Sequence, residues 1–141
     1  MQLSRHSDYT LRVLMYLSVR PDERGTLAQI SAFYNISFEH LRKIVHELGK
    51  LGYIETFRGK GGGIELAYAA EDINVGVLLE SVEGDKPLID CRGLDCRLAP
   101  VCTLNLALTR AQRAFFDTLK EYTLADLVGN KAMARELLAV I

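Results

Sequence analysis

The fold is decided by residues 26–66, which read TLAQISAFYNISFEHLRKIVHELGKLGYIETFRGKGGGIEL. Its first half holds two helical patterns separated by three residues: Thr26 can cap Leu27–Tyr34, and Ser37 can cap a helix that runs to about Leu51. Apolar side chains recur at core spacing along the second helix, at Leu41, Ile44, Val45 and Leu48. Two helices joined by so short a turn predict a helix-turn-helix.

A β-hairpin is predicted directly after the second helix. Residues 53–57 and 64–67 alternate apolar and polar side chains, as half-buried strands do. The connection Arg58-Gly59-Lys60-Gly61-Gly62-Gly63 is basic, and its glycines let the backbone approach a phosphate closely. Such a hairpin is a wing, so the predicted fold class is mainly α with a small β-hairpin: a winged helix-turn-helix.

Further helical patterns flank this unit. Ser7 and Asp8 predict the start of a largely buried first helix over Tyr9–Val19, and Asn74 is expected to cap Val75–Glu83. A long helix is predicted from Pro100 to about Tyr122, with Cys102 in its first turn. It carries one apolar stripe, which pairing with a second copy explains most simply. The stripe consists of Leu104, Leu108, Ala111, Phe115, Leu119 and Tyr122.

The chain is therefore expected to have three regions. Residues 1–84 form a winged helix-turn-helix domain, 85–102 a loop that holds all three cysteines, and 103–141 a dimerisation helix followed by C-terminal helices, the last of them a tail over Lys131–Ile141.

Length and charge fit this division. The chain has 141 residues and a formal net charge of −1. Residues 1–66 hold nine Lys and Arg against seven Asp and Glu, whereas residues 67–141 hold eight against eleven. A mildly basic first half is typical of a nucleic-acid-binding region. No leader and no membrane-spanning run is recognised, so a cytoplasmic protein without a membrane partner is expected.

The start of the second helix of the helix-turn-helix is expected to read DNA, because the N-terminal end of such a helix reaches base edges in the major groove. Arg42 is the best candidate for a guanine contact, and Lys43 for a phosphate or base. The plainer alternative is a solvated surface in which Lys43 pairs with Glu47. The predicted DNA-binding residues are Ser37, Phe38, Glu39, His40, Arg42, Lys43, Arg58 and Lys60.

All three cysteines, Cys91, Cys96 and Cys102, fall within one polar loop. A disulfide framework would need an even number and a secretory context. Thiolates so grouped predict soft-metal ligation, above all an iron–sulfur cluster, with one ligand still to be found. Three cysteines and one further ligand could hold either [4Fe–4S] or [2Fe–2S], and we favour [4Fe–4S].

Four features together resemble the winged-helix iron–sulfur repressors typified by NsrR and IscR. They are the start Gln2-Leu3…Ser7-Asp8-Tyr9…Leu11-Arg12, the wing 58–66, the helix end Val82-Glu83-Gly84 and the cysteine loop. Residues 122–128 resemble the NsrR branch in particular. The resemblance implies a homodimeric repressor that binds a palindromic operator with its cluster intact and releases it when nitric oxide attacks the cluster.

The resemblance also implies a fourth ligand. IscR-type proteins are expected to use a histidine where this chain has Asn105, whereas the NsrR branch is expected to use an acidic residue of the partner subunit, which Asp8 matches. Asp8 could equally be an ordinary first-turn or capping acid. Arg12 lies one turn later, so the two can form an ion pair. Our hypothesis is a switch in which Asp8 binds iron in trans, turns to Arg12 once the cluster is lost, and shifts the first helix.

Other readings remain open at this point. The same fold could respond to iron–sulfur status, or sense oxidants directly through its thiols. It could also be a protein–protein adaptor. A catalytic zinc site would need a general base and a substrate pocket, for which the sequence shows no motif, so no enzyme is predicted.

Overall fold

The computed structural model describes residues 1–84 and 86–139, and its helices and strands confirm the predicted mainly α fold with a hairpin wing. In chain order they are α1 (Arg5–Ser18), α2 (Leu27–Tyr34), α3 (Phe38–Leu51), β1 (Ile54–Phe57), β2 (Gly63–Leu66), α4 (Val75–Glu83), α5 (Thr103–Leu119), α6 (Leu124–Leu127) and α7 (Lys131–Leu138). Single 3-10 turns lie at Ala70–Asp72 and Ala99–Val101.

The helix-turn-helix has the predicted bounds because its caps are local. The Thr26 hydroxyl accepts a hydrogen bond from the Gln29 amide, and the Gln29 side chain accepts one from the Thr26 amide, which together form a capping box. Asn35 ends α2 in the left-handed conformation, with φ of 56°. The Ser37 hydroxyl then caps α3 by accepting from the His40 amide at 3.3 Å.

One apolar core joins α1 to the helix-turn-helix and the wing. Val13 and Leu14 of α1 are fully buried against Leu41 and Ile44 of α3. Each such side chain stabilises the fold by about 1.5–3 kcal/mol relative to an exposed position. Leu124 of α6 is buried in the same core, so the C-terminal region contributes to the packing of the winged helix-turn-helix.

The wing is a two-stranded antiparallel hairpin in which Ile54 lies opposite Leu66 and Phe57 opposite Gly63. Its strands occupy 54–57 and 63–66, one residue away from the predicted bounds at three of the four ends. Gly25 extends the pairing: its amide donates to the Ile64 carbonyl at 2.9 Å and its carbonyl accepts from the Ile64 amide at 2.8 Å. A side chain at Gly63 would lie 2.6 Å from the Gly25 oxygen, so this approach requires glycine.

The start of α1 differs from the prediction. The helix begins at Arg5, and its cap is Ser4, whose hydroxyl accepts from the Ser7 amide at 3.1 Å. Ser7 does not start the helix; it is fully buried and its hydroxyl accepts a hydrogen bond from that of Ser4. Asp8 consequently lies in the first turn of α1 rather than before it.

The start of α5 also differs. Pro100 belongs to a separate 3-10 turn, and Cys102 is the N-cap of α5 rather than a residue of its first turn. The helix ends at Leu119, before Tyr122. The sequence prediction was wrong here because proline is equally suited to a short 3-10 turn, in which Pro100 is the second of three residues.

Helices α4 and α5 cross at very short range. A Cβ added at Gly76 would lie 2.4 Å from the Lys120 amide nitrogen and 2.7 Å from the Phe116 oxygen. Phe116 packs there against Val75 and Leu79 in a second, smaller apolar cluster. The Asn74 side chain caps α4 and also donates to the Lys120 carbonyl at 2.8 Å.

Three predicted positions lie outside the described residues: Asp85, at the start of the predicted cluster-binding region, and Val140 and Ile141 at the end of the predicted tail. The division of the chain into three regions remains a prediction. Within residues 1–84 and 86–139, no helix combines the length and apolarity that crossing a membrane would require.

Candidate DNA interface and cluster-binding loop

The outer face of α3 presents most of the predicted DNA-binding residues. Arg42 and Lys43 are exposed, and they lie on the side opposite the buried Leu41 and Ile44. Ser37, Phe38 and Glu39 at the start of the helix are exposed as well. This placement leaves these side chains available to a DNA groove.

His40 is placed differently from its neighbours. It is half-buried, and its ring packs edge-on against Tyr9 of α1 with centroids 4.9 Å apart. A second contact joins the same two helices, because Nε2 of His6 in α1 lies against the carboxylate of Glu47 in α3. Glu47 thus contacts α1 instead of forming the surface pair with Lys43 that the alternative reading requires.

A groove between α3 and the wing is lined by positively charged side chains. Arg42 and Arg58, both predicted DNA contacts, line it together with His46, Lys50 and Thr56. The sequence reasoning missed the last three. Residues 46 and 50 follow 42 at intervals of four, so helical spacing alone could have placed them on the Arg42 face, whereas Thr56 comes from β1 and carried no such signal.

The cysteine loop is a compact, exposed turn. The Cys96 amide donates to the Cys91 carbonyl at 3.1 Å, and the Ala99 amide donates to the Cys96 carbonyl at the same distance. Asp95 between them adopts the left-handed conformation with φ of 48°. All three cysteines are free thiols, with Cys96 exposed and the other two half-buried.

The surroundings of the Cys91 thiol disfavour its charged form. Partial burial raises the pKa of the Cys91 thiol, and the neighbouring charges of Cys96, Cys102 and Asp90 raise it further. A cation bound beside Cys91 would have the opposite effect, since positive charge favours the thiolate. Cys102 also caps α5, its sulfur accepting from the Asn105 amide at 3.4 Å.

The donor set suits a soft metal, because three free thiols in one turn are the ligands that iron–sulfur clusters use. Among the residues that the structure describes, however, no three His, Cys, Asp or Glu side chains are grouped so that they could hold a metal ion. A single chain therefore supplies suitable donors without an assembled site.

Asp8 forms an ion pair with Arg12 within the same helix. Its Oδ1 accepts from Arg12 Nε at 2.8 Å, which is the ion pair that the spacing predicts. This hydrogen bond raises the pKa of the Arg12 guanidinium. Both side chains are partly exposed, so the pair contributes about 0.3–0.5 kcal/mol and can exchange for another partner at little cost.

The predicted apolar stripe on α5 is only partly used within the chain. Phe115 and Leu119 are half-buried against the α4 cluster, whereas Leu104 is 61% exposed. Val101, just before α5, is 77% exposed, and Leu94 in the cysteine loop is 79% exposed. The loop and the start of α5 thus present several separate apolar side chains to solvent.

Comparison with known proteins agrees with this architecture. The family model Rrf2, described as "Iron-dependent Transcriptional regulator", matches residues 3–130. The HTH-type transcriptional regulator NsrR of Geobacillus kaustophilus is 46% identical over 142 residues, which cover 98% of this chain and 97% of that protein. The protein of the same name from Bacillus subtilis is 43% identical with the same coverage.

Solved structures show the same fold. Staphylococcus aureus CymR superposes with a TM-score of 0.73 at 25% identity, over 90% of this chain and 98% of that one. T. potens IscR gives 0.75 at 21% identity, over 94% and 90%. The relatives are named as transcriptional regulators and not as enzymes, which confirms the prediction that this chain is not an enzyme. The chain belongs to the Rrf2 family of transcriptional regulators.

Proposed function

We propose that this chain is a homodimeric, cytoplasmic repressor of the NsrR type, which binds a palindromic DNA operator and senses nitric oxide through an iron–sulfur cluster. One observation carries the proposal: a complete winged helix-turn-helix is joined in one chain to a loop of three free thiols. The relatives named NsrR support the regulator type. Nitric oxide as the signal follows from the resemblance to the NsrR branch.

The DNA-binding part has the charges that the proposal needs. Arg42 and Lys43 on α3 would enter the major groove, while Arg58 and Lys60 of the wing would meet the phosphate backbone. A palindrome is bound by two copies, with half-sites about 34 Å apart. The exposed apolar residues at the start of α5 favour a second copy as the partner that covers them.

Cys91, Cys96 and Cys102 would hold the cluster, with Asp8 of the partner subunit as the fourth ligand. We favour [4Fe–4S] over [2Fe–2S]. A bound cluster would supply iron that reacts with nitric oxide, and a carboxylate is a harder and more labile ligand for that iron than a thiolate.

Contacts within the chain connect Asp8 to the recognition helix. Asp8 lies between His6 and Tyr9, and these two side chains touch Glu47 and His40 of α3 respectively. A displacement of the first two turns of α1 would therefore move α3 directly. We propose that exchange of Asp8 between Arg12 and the partner's cluster changes the spacing of the two recognition helices.

The test is an anaerobic purification followed by iron and sulfide analysis. A duplex selected from a random library with the coloured protein is then titrated by fluorescence anisotropy, before and after additions of nitric oxide. The proposal requires iron and sulfide in the protein, and operator release in step with the loss of cluster absorbance. Colourless protein whose DNA binding ignores nitric oxide would rule it out.

A regulator that senses oxidants through its thiols is the second candidate, favoured by three free cysteines within one twelve-residue loop. It predicts a disulfide within the loop after treatment with peroxide, detected by mass spectrometry as a loss of two hydrogens, and DNA release without any bound iron.

A further inference from the structure

One guanidinium ties the wing to the rest of the molecule by three contacts. Arg24 Nη1 donates to the Gly61 carbonyl at 3.1 Å. The Arg24 Cζ atom lies 3.6 Å from the centroid of the Phe57 ring, and Nε lies 3.6 Å from Oε2 of Glu65. Arg24 thus contacts the tip and both strands of the hairpin.

The tip needs such a restraint because it extends beyond the strand pairing. The ladder ends at Phe57 and Gly63, and the tip between them has a single internal bond, from the Gly62 amide to the Gly59 carbonyl at 3.0 Å, among the hydrogen bonds of the described residues. Gly59 and Gly61 have φ of 84° and 76°. Glycine loses more conformational freedom on ordering than any other residue, so an unsupported tip would be mobile.

The backbone places Arg24 where it can provide this support. Its neighbour Gly25 exchanges two hydrogen bonds with Ile64, which fixes the start of the Arg24 side chain beside β2. The side chain then runs along the hairpin toward Gly61. Its charge is opposed by Glu65, whereas within the described residues neither Arg58 nor Lys60 forms an ion pair. The charges free to meet DNA are therefore on the tip, and the restraint comes from Arg24.

We propose that Arg24 is a positioning residue for DNA binding, which holds the wing tip so that Arg58 and Lys60 face the phosphate backbone. Arg24 acts through those two residues and does not itself contact DNA. The inference rests on the proposed DNA-binding function and adds to it the element that orders the wing before binding.

The first test compares two substitutions at this position, with the anaerobically prepared parent protein and the selected duplex. Arg24→Gln should weaken binding about five- to tenfold, because the tip must then be ordered during association. Arg24→Lys should weaken it to the same degree, since lysine keeps the charge but cannot stack a planar group on Phe57 while bonding to Gly61. A direct phosphate contact predicts instead that Arg24→Lys binds like the parent.

Matched controls separate positioning from general damage. Glu65→Gln removes the ion pair but keeps the stack and the bond to Gly61, and should stay within about twofold of the parent, as exposed pairs contribute little. Phe57→Ala removes the stack and should reproduce Arg24→Gln. Amide exchange at Gly59–Gly62 in the free protein should accelerate in Arg24→Gln, while the thermal unfolding of the variant stays cooperative.

The decisive measurement is a double-mutant comparison in the background Arg58→Gln, Lys60→Gln. If Arg24 acts through the tip, Arg24→Gln should have no further effect there beyond about twofold. An undiminished effect, or parent-like binding of Arg24→Gln itself, would overturn the inference while leaving the DNA-binding proposal intact. A parent protein that binds no duplex would overturn both.

Discussion

The DNA-binding part and the cysteine loop are built in opposite ways. In the first, Leu14, Ile30 and Leu41 are fully buried, and side-chain caps fix the helix starts. In the second, the thiols are free and the apolar residues around them, among them Leu94 and Val101, face solvent. One part of the chain is therefore complete as a single copy, whereas the other has features that only a bound group or a partner would complete.

The largest effect is expected in the incomplete region. Cys96→Ser should abolish cluster binding, because an iron site that already lacks a fourth cysteine loses one of its three thiolates. The fold should not change, since Cys96 is exposed. Iron content and visible absorbance test the first expectation, and circular dichroism the second. Retention of the full cluster signal would show that Cys96 is not a ligand.

A matched pair of leucines sharpens the contrast. Leu41→Ala should cost about 2–5 kcal/mol in the free energy of unfolding, because it leaves a cavity in a closed core. Leu104→Ala should cost less than about 0.5 kcal/mol in the isolated chain, because Leu104 is exposed there. If the stripe pairs two copies, Leu104→Ala should weaken the dimer in analytical ultracentrifugation. Equal urea midpoints for the two variants would contradict the contrast between a closed core around Leu41 and an exposed surface at Leu104.

Asp8→Ala tests the proposed link between the cysteine loop and the winged helix-turn-helix. Loss of the exposed pair with Arg12 should change the unfolding free energy by about 0.5 kcal/mol or less. The three-thiol site should persist with an altered visible spectrum and a shorter cluster lifetime in air. Asp22→Ala, at another exposed carboxylate, is the control. A spectrum and nitric oxide titration identical to those of the parent would mean that Asp8 is not a ligand.

The last effect concerns the stability of the fold alone and involves Tyr34, whose hydroxyl donates to the Arg12 carbonyl at 3.0 Å. Burial raises the pKa of Tyr34 to about 12, above the value near 10 of the unfolded chain. The neutral Tyr34 side chain therefore stabilises the folded state fully below about pH 10, and this contribution is lost as the pH rises toward 12. The loss should be about 1 kcal/mol, because the side chain is only partly shielded from water. The free energy of unfolding, measured in urea, should fall over this pH range by more in the parent than in Tyr34→Phe. Parallel losses would contradict the assignment.

Local signals predicted the helix-turn-helix well. Thr26, Ser37 and Asn74 each form the cap that their residue type suggests, so α2, α3 and α4 begin where expected. The error at the start of α1 occurred where two residues compete for one role. Ser4 and Ser7 are both plausible caps of α1, and only packing shows that Ser7 is buried.

Contacts between distant segments could not be predicted from one sequence. The pairs His6–Glu47 and Tyr9–His40 depend on the crossing of α1 over α3, and no periodicity within either helix encodes that crossing. From the sequence alone Arg24 is an ordinary loop cation, and its contact with Phe57 is established only by the tertiary fold. For the candidate site, sequence provided the residue types and their faces, and the tertiary fold decided which side chains remain available.

Gly76 has a mechanical consequence. The α4 backbone approaches the end of α5 there with no α4 side chain between them, and the Lys120 side chain fills the adjacent space, so the two helices cannot slide or roll on each other without a clash. The two helices should move as one rigid unit, about 27 Å long from the cap at Cys102 to the crossing at Lys120. A small displacement of the cysteine loop at one end would then displace α4 at the other end. Because α4 packs against α1, this movement would reach the winged helix-turn-helix.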